Sequence, residues 1–345
     1  MDPVRDFGKG SSSSRRRLLP LERNISNGVE ARHEPVLMQE VLAALSVAPG
    51  DTVVDATLGG AGHFAELLAA LGEDGTIIGI DADPAAVARA RAAYARDRRP
   101  ERPVAHLVND NFRNLTRILE RLGIGQVNKM LFDLGWSGYQ IATPRGFSFQ
   151  NDEPLLMTYG EGGETAADIV NMSSEADLAD IIFTYGEEHF ARAIARAIVA
   201  ARAKERILTT DALVRAVLAG TPRSYHERKI HPATKTFQAL RIAANDEIGA
   251  LREGLAAAFS ALAPGGKLAV ISFHSIEDRI VKNTLRDAAE AGWGTVHPKK
   301  PVTPSRAELL ANRRARSAKL RVFERGTASP RPESASTLTS LLSYA

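Results

Sequence analysis

The sequence predicts an α/β fold: a doubly wound, mostly parallel sheet with a helical domain inserted late in it. Three observations carry that reading. Between residues 52 and 133, short β-branched apolar runs alternate with helix-forming stretches across short loops, as parallel strands do with their crossover helices. A glycine-rich turn, Gly59-Gly60-Ala61-Gly62, follows the first of these strands and opens the first of these helices. After Gly135 the alternation stops, and it does not resume until after His231.

In chain order, residues 1–30 read as a disordered basic tail, with Ser11 to Ser14 running into Arg15-Arg16-Arg17. Gln39 to Leu45 is a short amphipathic helix with Val41, Leu42 and Leu45 on one face. Pro49-Gly50 turns the chain into strand Val53–Asp55. Then come helix Phe64–Leu71, strand Thr76–Ile80, helix Pro84–Ala95 with proline in its first turn, strand Val104–Val108, helix Leu115–Leu122 and strand Lys129–Phe132. Trp136 to Gly163 is loop-like, and Ala166 to Val217 is largely helical. Its stripes Leu178, Ile181, Ile182, Tyr185 and Phe190, Ile194, Ala197, Ile198 read as core. Residues 141–231 are therefore expected to form an inserted helical substrate-recognition domain, and 31–140 with 232–325 the sheet domain.

On the returning segment, a helix places Phe237, Leu240, Ala244 and Ile248 on one face and Thr234, Gln238, Arg241 and Asn245 on another. The polar face either lines a cleft, meeting phosphate or base, or is simply solvated. Glu247 to Leu262 is a long helix closed by Pro264-Gly265-Gly266, and Lys267–Phe273 is the fifth strand. Ser275-x-x-Asp278 looks like a capping-box start for helix Ile276–Ala289. Lys319–Phe323 is expected as a last, antiparallel edge strand, and residues 326–345 as a second disordered tail.

Ligands of doubly wound sheets bind outside the carboxyl ends of the strands, and Asp55, Asp81, Asp110 and Asp133 all fall there. Gly60-x-Gly62-x-x-Ala65 matches the dinucleotide fingerprint, but a carboxylate at Asp55 would repel a pyrophosphate. It suits a ligand with no phosphate and a cationic end, such as S-adenosylmethionine. Asp81, ending the second strand, is placed to accept both ribose hydroxyls. Phe112, just past the third strand, either stacks on an adenine ring or packs in the core. His274 is the most cleft-placed histidine, with a structural and a catalytic reading both open.

The chain contains 345 residues and no cysteine, which excludes disulfides, thiolate metal sites and cysteine nucleophiles and fits a cytoplasmic protein. No metal site is expected. Apolar runs fall short of a membrane span, and the first thirty residues carry no apolar signal-peptide core. The net charge is only +3, yet positive charge clusters at Arg96 to Arg102, Arg223 to Lys229 and Arg313 to Arg321, which favours a polyanionic partner such as RNA.

Together these stretches resemble one family. They are HEPVL at 33–37, DATLGGAGHF at 55–64, GIDADP at 79–84, DNFRNL at 110–115, FDLGWSG at 132–138, RGFSF at 145–149, ADIVN at 167–171, YGEE at 185–188, HPATKTFQALRIAANDE at 231–247, SFHSIEDRIVK at 272–282 and RSAKLRV at 316–322. In order, they are similar to the bacterial 16S ribosomal RNA cytosine-N4 methyltransferases, which modify a cytidine in the decoding region. The resemblance implies a class I methyltransferase fold with an inserted helical domain. It implies cofactor contacts from Ala61, Gly62, His63, Asp81, Phe112, Asp133 and Gln140, and 16S ribosomal RNA, within a small-subunit particle, as partner. The chain departs from the common family pattern at Trp136-Ser137-Gly138-Tyr139 and at Leu156-Met157-Thr158-Tyr159.

The expected chemistry is transfer of a methyl group to an exocyclic amine whose lone pair is delocalised into the ring, so alignment must do most of the catalysis. Asp133 is the candidate catalytic residue, either orienting the amine or holding the cofactor's amino group. Arg145, Lys235, Arg241 and His274 are the candidate substrate contacts. Methylation at pyrimidine carbon-5 usually requires a cysteine thiolate, which this chain lacks; a ribose hydroxyl stays open. Rival readings are a small-molecule or protein methyltransferase and a non-enzymatic RNA-binding assembly factor. A nicotinamide oxidoreductase is disfavoured by Asp55.

Overall fold

A computed structural model describes residues 35–96, 101–135, 139, 143–160 and 162–327. The two expected tails, apart from Gly326 and Thr327, lie outside these, as do Gln140 and Trp136-Ser137-Gly138. Seven strands form one sheet: β1 (Thr52–Asp55), β2 (Thr76–Asp81), β3 (Val104–Asn109), β4 (Val127–Asp133), β5 (Leu262–Ser272), β6 (Gly294–Val296) and β7 (Lys319–Arg325). Their order is β3-β2-β1-β4-β5-β7-β6. The first five run parallel, and β7 is antiparallel to both β5 and β6. This is the doubly wound, mostly parallel α/β sheet expected, and its order reverses between β1 and β4, where such sheets open a ligand crevice.

Alternation along each strand feeds two apolar layers. Val53, Ile77, Leu131 and Ile271 pack with α1 (Met38–Leu45), α2 (Gly62–Ala70) and α3 (Pro84–Arg96). Val54, Ile78, Met130 and Val270 pack with α4 (Leu115–Leu122) on the other face. Burying each such side chain contributes about 1.5–3 kcal/mol, which fixes the register of the central strands.

Beyond β4 the chain builds α5 (Ala166–Met172), α6 (Glu175–Gly186), α7 (Ala191–Arg202), α8 (Thr210–Ala219) and the single turn α9 (Arg223–His226). The first four share a third core, in which Leu178, Ile182, Ile194 and Ile198 are fully buried. The core is completed by Ala233, Phe237 and Leu240 of α10 (Ala233–Asn245), so this helix belongs to the helical layer as well as to the chain's return. The returning chain continues into α11 (Glu247–Ala261) and, after β5, α12 (Ser275–Glu290), both packed on the α4 face; α13 (Arg306–Ala311) precedes β7. Among the described residues no helix is long and apolar enough to cross a membrane.

Three details differ from expectation. Strand β5 begins at Leu262, so Pro264-Gly265-Gly266 is a bulge inside the strand rather than a turn before it. Register jumps from Val127↔Leu262 to Lys129↔Lys267, and Gly265 takes φ +74°. Strand β7 is antiparallel but not at the edge, because the three residues of β6, too few to show any period, pair outside it. Helix α12 is capped by the His274/Glu277 pair and not by Ser275 and Asp278, since Asp278 is held by Lys319 and Arg321 of β7, each at 2.7 Å.

Candidate active site

The carboxyl ends of β1, β2 and β4 bring Asp55, Asp81 and Asp133 together around the glycine loop. The loop needs its small residues. Gly59 and Ala61 have positive φ, and a Cβ on Gly62 would lie 2.2 Å from Pro35 Cγ. Asp81 faces the loop: Gly59 N–H donates to Oδ2 at 2.6 Å, and Asp83 N–H to Oδ1 at 2.7 Å. Burial nevertheless pushes this carboxyl up to about 6, because loss of hydration outweighs the two donors.

Asp55 lies deeper. It is 1% exposed, one oxygen accepts from Thr57 N–H, and Oδ2 has no hydrogen-bond partner. Burial pushes it up to about 7. His63, in the first turn of α2, stands between the acids. Its Nε2 is 3.0 Å from the carbonyl of Val36, which can only accept, so this nitrogen carries a proton. Its Nδ1 is 3.4 Å from Asp133 Oδ2. Burial disfavours the imidazolium, but Asp133 and then Asp55 more than offset it, and the histidine is held above its ordinary value. Asp133 itself is fixed through its backbone, which donates to Thr57 Oγ1 at 2.6 Å.

Outside these acids is a cleft open to solvent at its mouth. Gly59, Asp81, Phe112 and Asp133 line it. Ala61, Gly62, His63 and Asp55 do not line it. Phe112 serves both of its sequence readings, lining the cleft while packing edge-on against Phe132 at 5.4 Å. Gln140 lies outside the described residues.

Of the opposite wall, only Asn245, on the polar face of α10, is open to a cleft reading from the sequence. That wall consists of Tyr159, Asn245, Glu247 and Glu277, from three separate segments. Asn245 binds the loop by its backbone, donating to Met157 O (2.6 Å) and accepting from Tyr159 N–H (2.9 Å). Glu247 accepts from the Tyr159 hydroxyl on Oε1 and from Arg241 on Oε2, both at 2.7 Å. Burial, with Glu247 beside it, holds the Tyr159 phenol well above its ordinary value. Glu247, His274 and Glu277 each bring a donor atom within 4.8 Å of the others, a spacing a cation can occupy. Arg241 already supplies positive charge there. The signal available in sequence was that Glu247 and Glu277 are acids inside the two most distinctive motifs.

The four substrate candidates do not stand in the wall of the cleft. Arg145 ties the loop to the sheet, reaching Asp83 Oδ2 at 3.1 Å and the carbonyl of Tyr159 at 2.9 Å. Lys235 donates to the carbonyl of Glu187, Arg241 is buried against Glu247, and His274 caps α12. The polar face of α10 is split between its two readings: Asn245 lines the cleft and Thr234 is exposed, while Gln238 and Arg241 bind protein groups. Of the basic clusters, Arg223, Arg228, Lys229, Arg313, Arg314 and Arg316 are exposed, whereas Arg321 is consumed by Asp278.

Residues 30–326 match the MraW methylase family. Among curated proteins, "Ribosomal RNA small subunit methyltransferase H" of Deinococcus radiodurans is 48% identical over 299 residues, covering 86% of this chain and 90% of that protein. The protein of the same name from Geobacter sulfurreducens is 46% identical over 315 residues, covering 85% and 98%. Among solved structures, an rRNA methylase from Streptococcus thermophilus aligns at 12% identity with a TM-score of 0.39, covering 85% and 98%.

Proposed function

Since the chain belongs to the MraW methylase family, we propose that it methylates the exocyclic N4 amine of a cytidine in the decoding region of 16S ribosomal RNA, in a small-subunit particle in the cytoplasm, with S-adenosylmethionine as donor. The observation that carries this reading is the charge of the cleft. Four carboxylates line it, Asp81, Asp133, Glu247 and Glu277, and among the described residues no Lys or Arg does. Such a wall repels phosphates and suits a cationic ligand. The fit extends to shape. Ala56, Phe112, Leu134, Ala250 and Leu251 give an apolar surface for a flat base, and Gly62 keeps the loop close.

When bound, S-adenosylmethionine supplies an electrophilic methyl group. The protein's own part is alignment. Asp81 keeps a second lone pair on each oxygen for ribose hydroxyls while backbone N–H groups hold it in place. Asp133, anchored by Thr57 and backed by His63, accepts a hydrogen bond from the target amine and orients its lone pair. The target base leaves its stack to reach this depth.

The test uses RNA carrying tritium at cytosine carbon-5. Methylation of the amine retains the label, and the methyl stays on the free base after glycosidic cleavage. Tritium release in step with methyl transfer would falsify the proposal, and a methyl left on the sugar would assign the ribose instead.

A further inference from the structure

The reaction leaves a proton to be placed, and the cleft offers few acceptors. As the amine nitrogen bonds to the methyl carbon, the sulfur–carbon bond breaks and its electron pair stays on sulfur. The nitrogen then carries a positive charge and two hydrogens, one of which must leave. Four carboxylates line the cleft. Asp81 has a backbone N–H on each oxygen and stands at the glycine loop. Glu247 has the Tyr159 hydroxyl on one oxygen and Arg241 on the other. Asp133 is engaged by His63 and Gly135, and on the proposed function it orients the amine.

Glu277 differs. Its Oε2 accepts from the backbone N–H groups of Phe273 (2.8 Å) and His274 (3.2 Å), which fixes the side chain at the start of α12. Its Oε1 lies 3.1 Å from His274 Nε2, a buried nitrogen with no hydrogen bond made, and Glu247 brings a donor atom within 4.8 Å of this pair. Glu247 and Glu277 together bring two negative charges beside the single positive charge of Arg241, so the wall holds an excess negative charge facing the place where positive charge arrives.

We infer that Glu277, through Oε1, takes the proton released by the methylated amine and gives it up to solvent at the open mouth of the cleft. This rests on the methyl transfer proposed above and adds a second catalytic carboxylate to Asp133. The chemistry balances: the carboxylate becomes a carboxylic acid, the ammonium becomes a neutral secondary amine, and the proton then leaves.

Glu277 also caps α12, and the test must separate the two roles. Glu277→Gln keeps an amide oxygen for the cap while removing the base, since glutamine serves equally at this position of a capping box. Single-turnover methyl transfer at saturating enzyme is compared with wild type, with cofactor affinity by calorimetry and melting temperature alongside. The expected result is a rate at least about 100-fold lower, with affinity and melting temperature little changed. Added formate should restore part of the rate to Glu277→Ala and none to Glu277→Gln. A Glu277→Gln rate within about threefold of wild type overturns the inference and leaves the functional reading standing. Absence of methyl transfer by the wild-type protein overturns both.

Discussion

The two walls of the cleft are built in opposite ways. The wall of Gly59, Asp81, Phe112 and Asp133 hangs on strand ends and is held by backbone groups close in sequence or one strand away. The wall of Tyr159, Asn245, Glu247 and Glu277 is held by side chains reaching across long stretches of chain, to backbone and to one another. Its long-range bonds, Asn245 to Met157 and Tyr159 and Glu247 to Tyr159, span 86 to 88 residues. A backbone-held wall can be damaged one residue at a time. A side-chain network fails as a unit, because its buried groups depend on each other for charge and hydrogen bonds.

The largest expected effect lies at the seam. Asp133→Asn should lower the single-turnover rate by about 100- to 10,000-fold and cofactor affinity by much less. Equal losses of both would assign Asp133 to the cofactor alone. In the side-chain wall, Arg241→Met should cost about 3–5 kcal/mol in urea denaturation, because it leaves buried acids uncompensated. A loss under about 1 kcal/mol would show that this wall is not a coupled network.

The acids at the strand ends carry their own signature in pH. Burial pushes Asp55 up to about 7 in the folded protein, far above its value in the unfolded chain. The folded state therefore holds a proton that the unfolded state has released, and stability falls as pH rises from about 4 to 7, by on the order of 1 kcal/mol per pH unit. His63, raised as well, adds stability that is fully present below its unfolded pKa and is lost as pH climbs through its folded value. Melting curves across this range should decline for wild type and decline less steeply for Asp55→Asn, in which Asp81, raised to about 6, still contributes.

Asp81→Ala should weaken cofactor binding at least about tenfold by calorimetry while the fold survives, because two charge-assisted hydrogen bonds, each worth about 1.5–3 kcal/mol, would be lost. An unchanged dissociation constant removes Asp81 from the site. The smallest effect is expected far from either wall. RNA binding should weaken steeply with salt, and Arg314→Ala should reduce the slope of log affinity against log salt by about one. A flat salt dependence would point to a small-molecule substrate.

The same contrast explains what the sequence disclosed. Strand ends and the glycine loop are local patterns, so Asp55, Asp81, Phe112 and Asp133 could be placed from periodicity and turn chemistry alone. Tyr159 and Glu277 could not, because nothing in the spacing from 159 to 277 says that loop, helix and strand end converge. Arg145, Lys235 and Arg241 drew attention as cations, yet a cation's partner is a matter of tertiary packing, and theirs are Asp83, the Glu187 carbonyl and Glu247. The bulge at Gly265 and the three-residue β6 were hidden for a different reason: each is too short to carry a period of its own.

Asn245 acts as a clasp on the loop. It grips residues 157–159 through a carbonyl and an N–H, which every amino acid but proline can offer, and its own anchor is the carbonyl of Arg241 at 2.9 Å. A clasp of this kind is blind to side-chain identity. The clasp fixes the path of the loop, while Met157, buried in the helical core, and Tyr159, bonded through its hydroxyl to Glu247, fix its side chains. Leu156 and Thr158 are left as the two positions of residues 156–159 whose side chains no such bond holds among the described residues, so they are where the rim of the cleft can change without moving its wall.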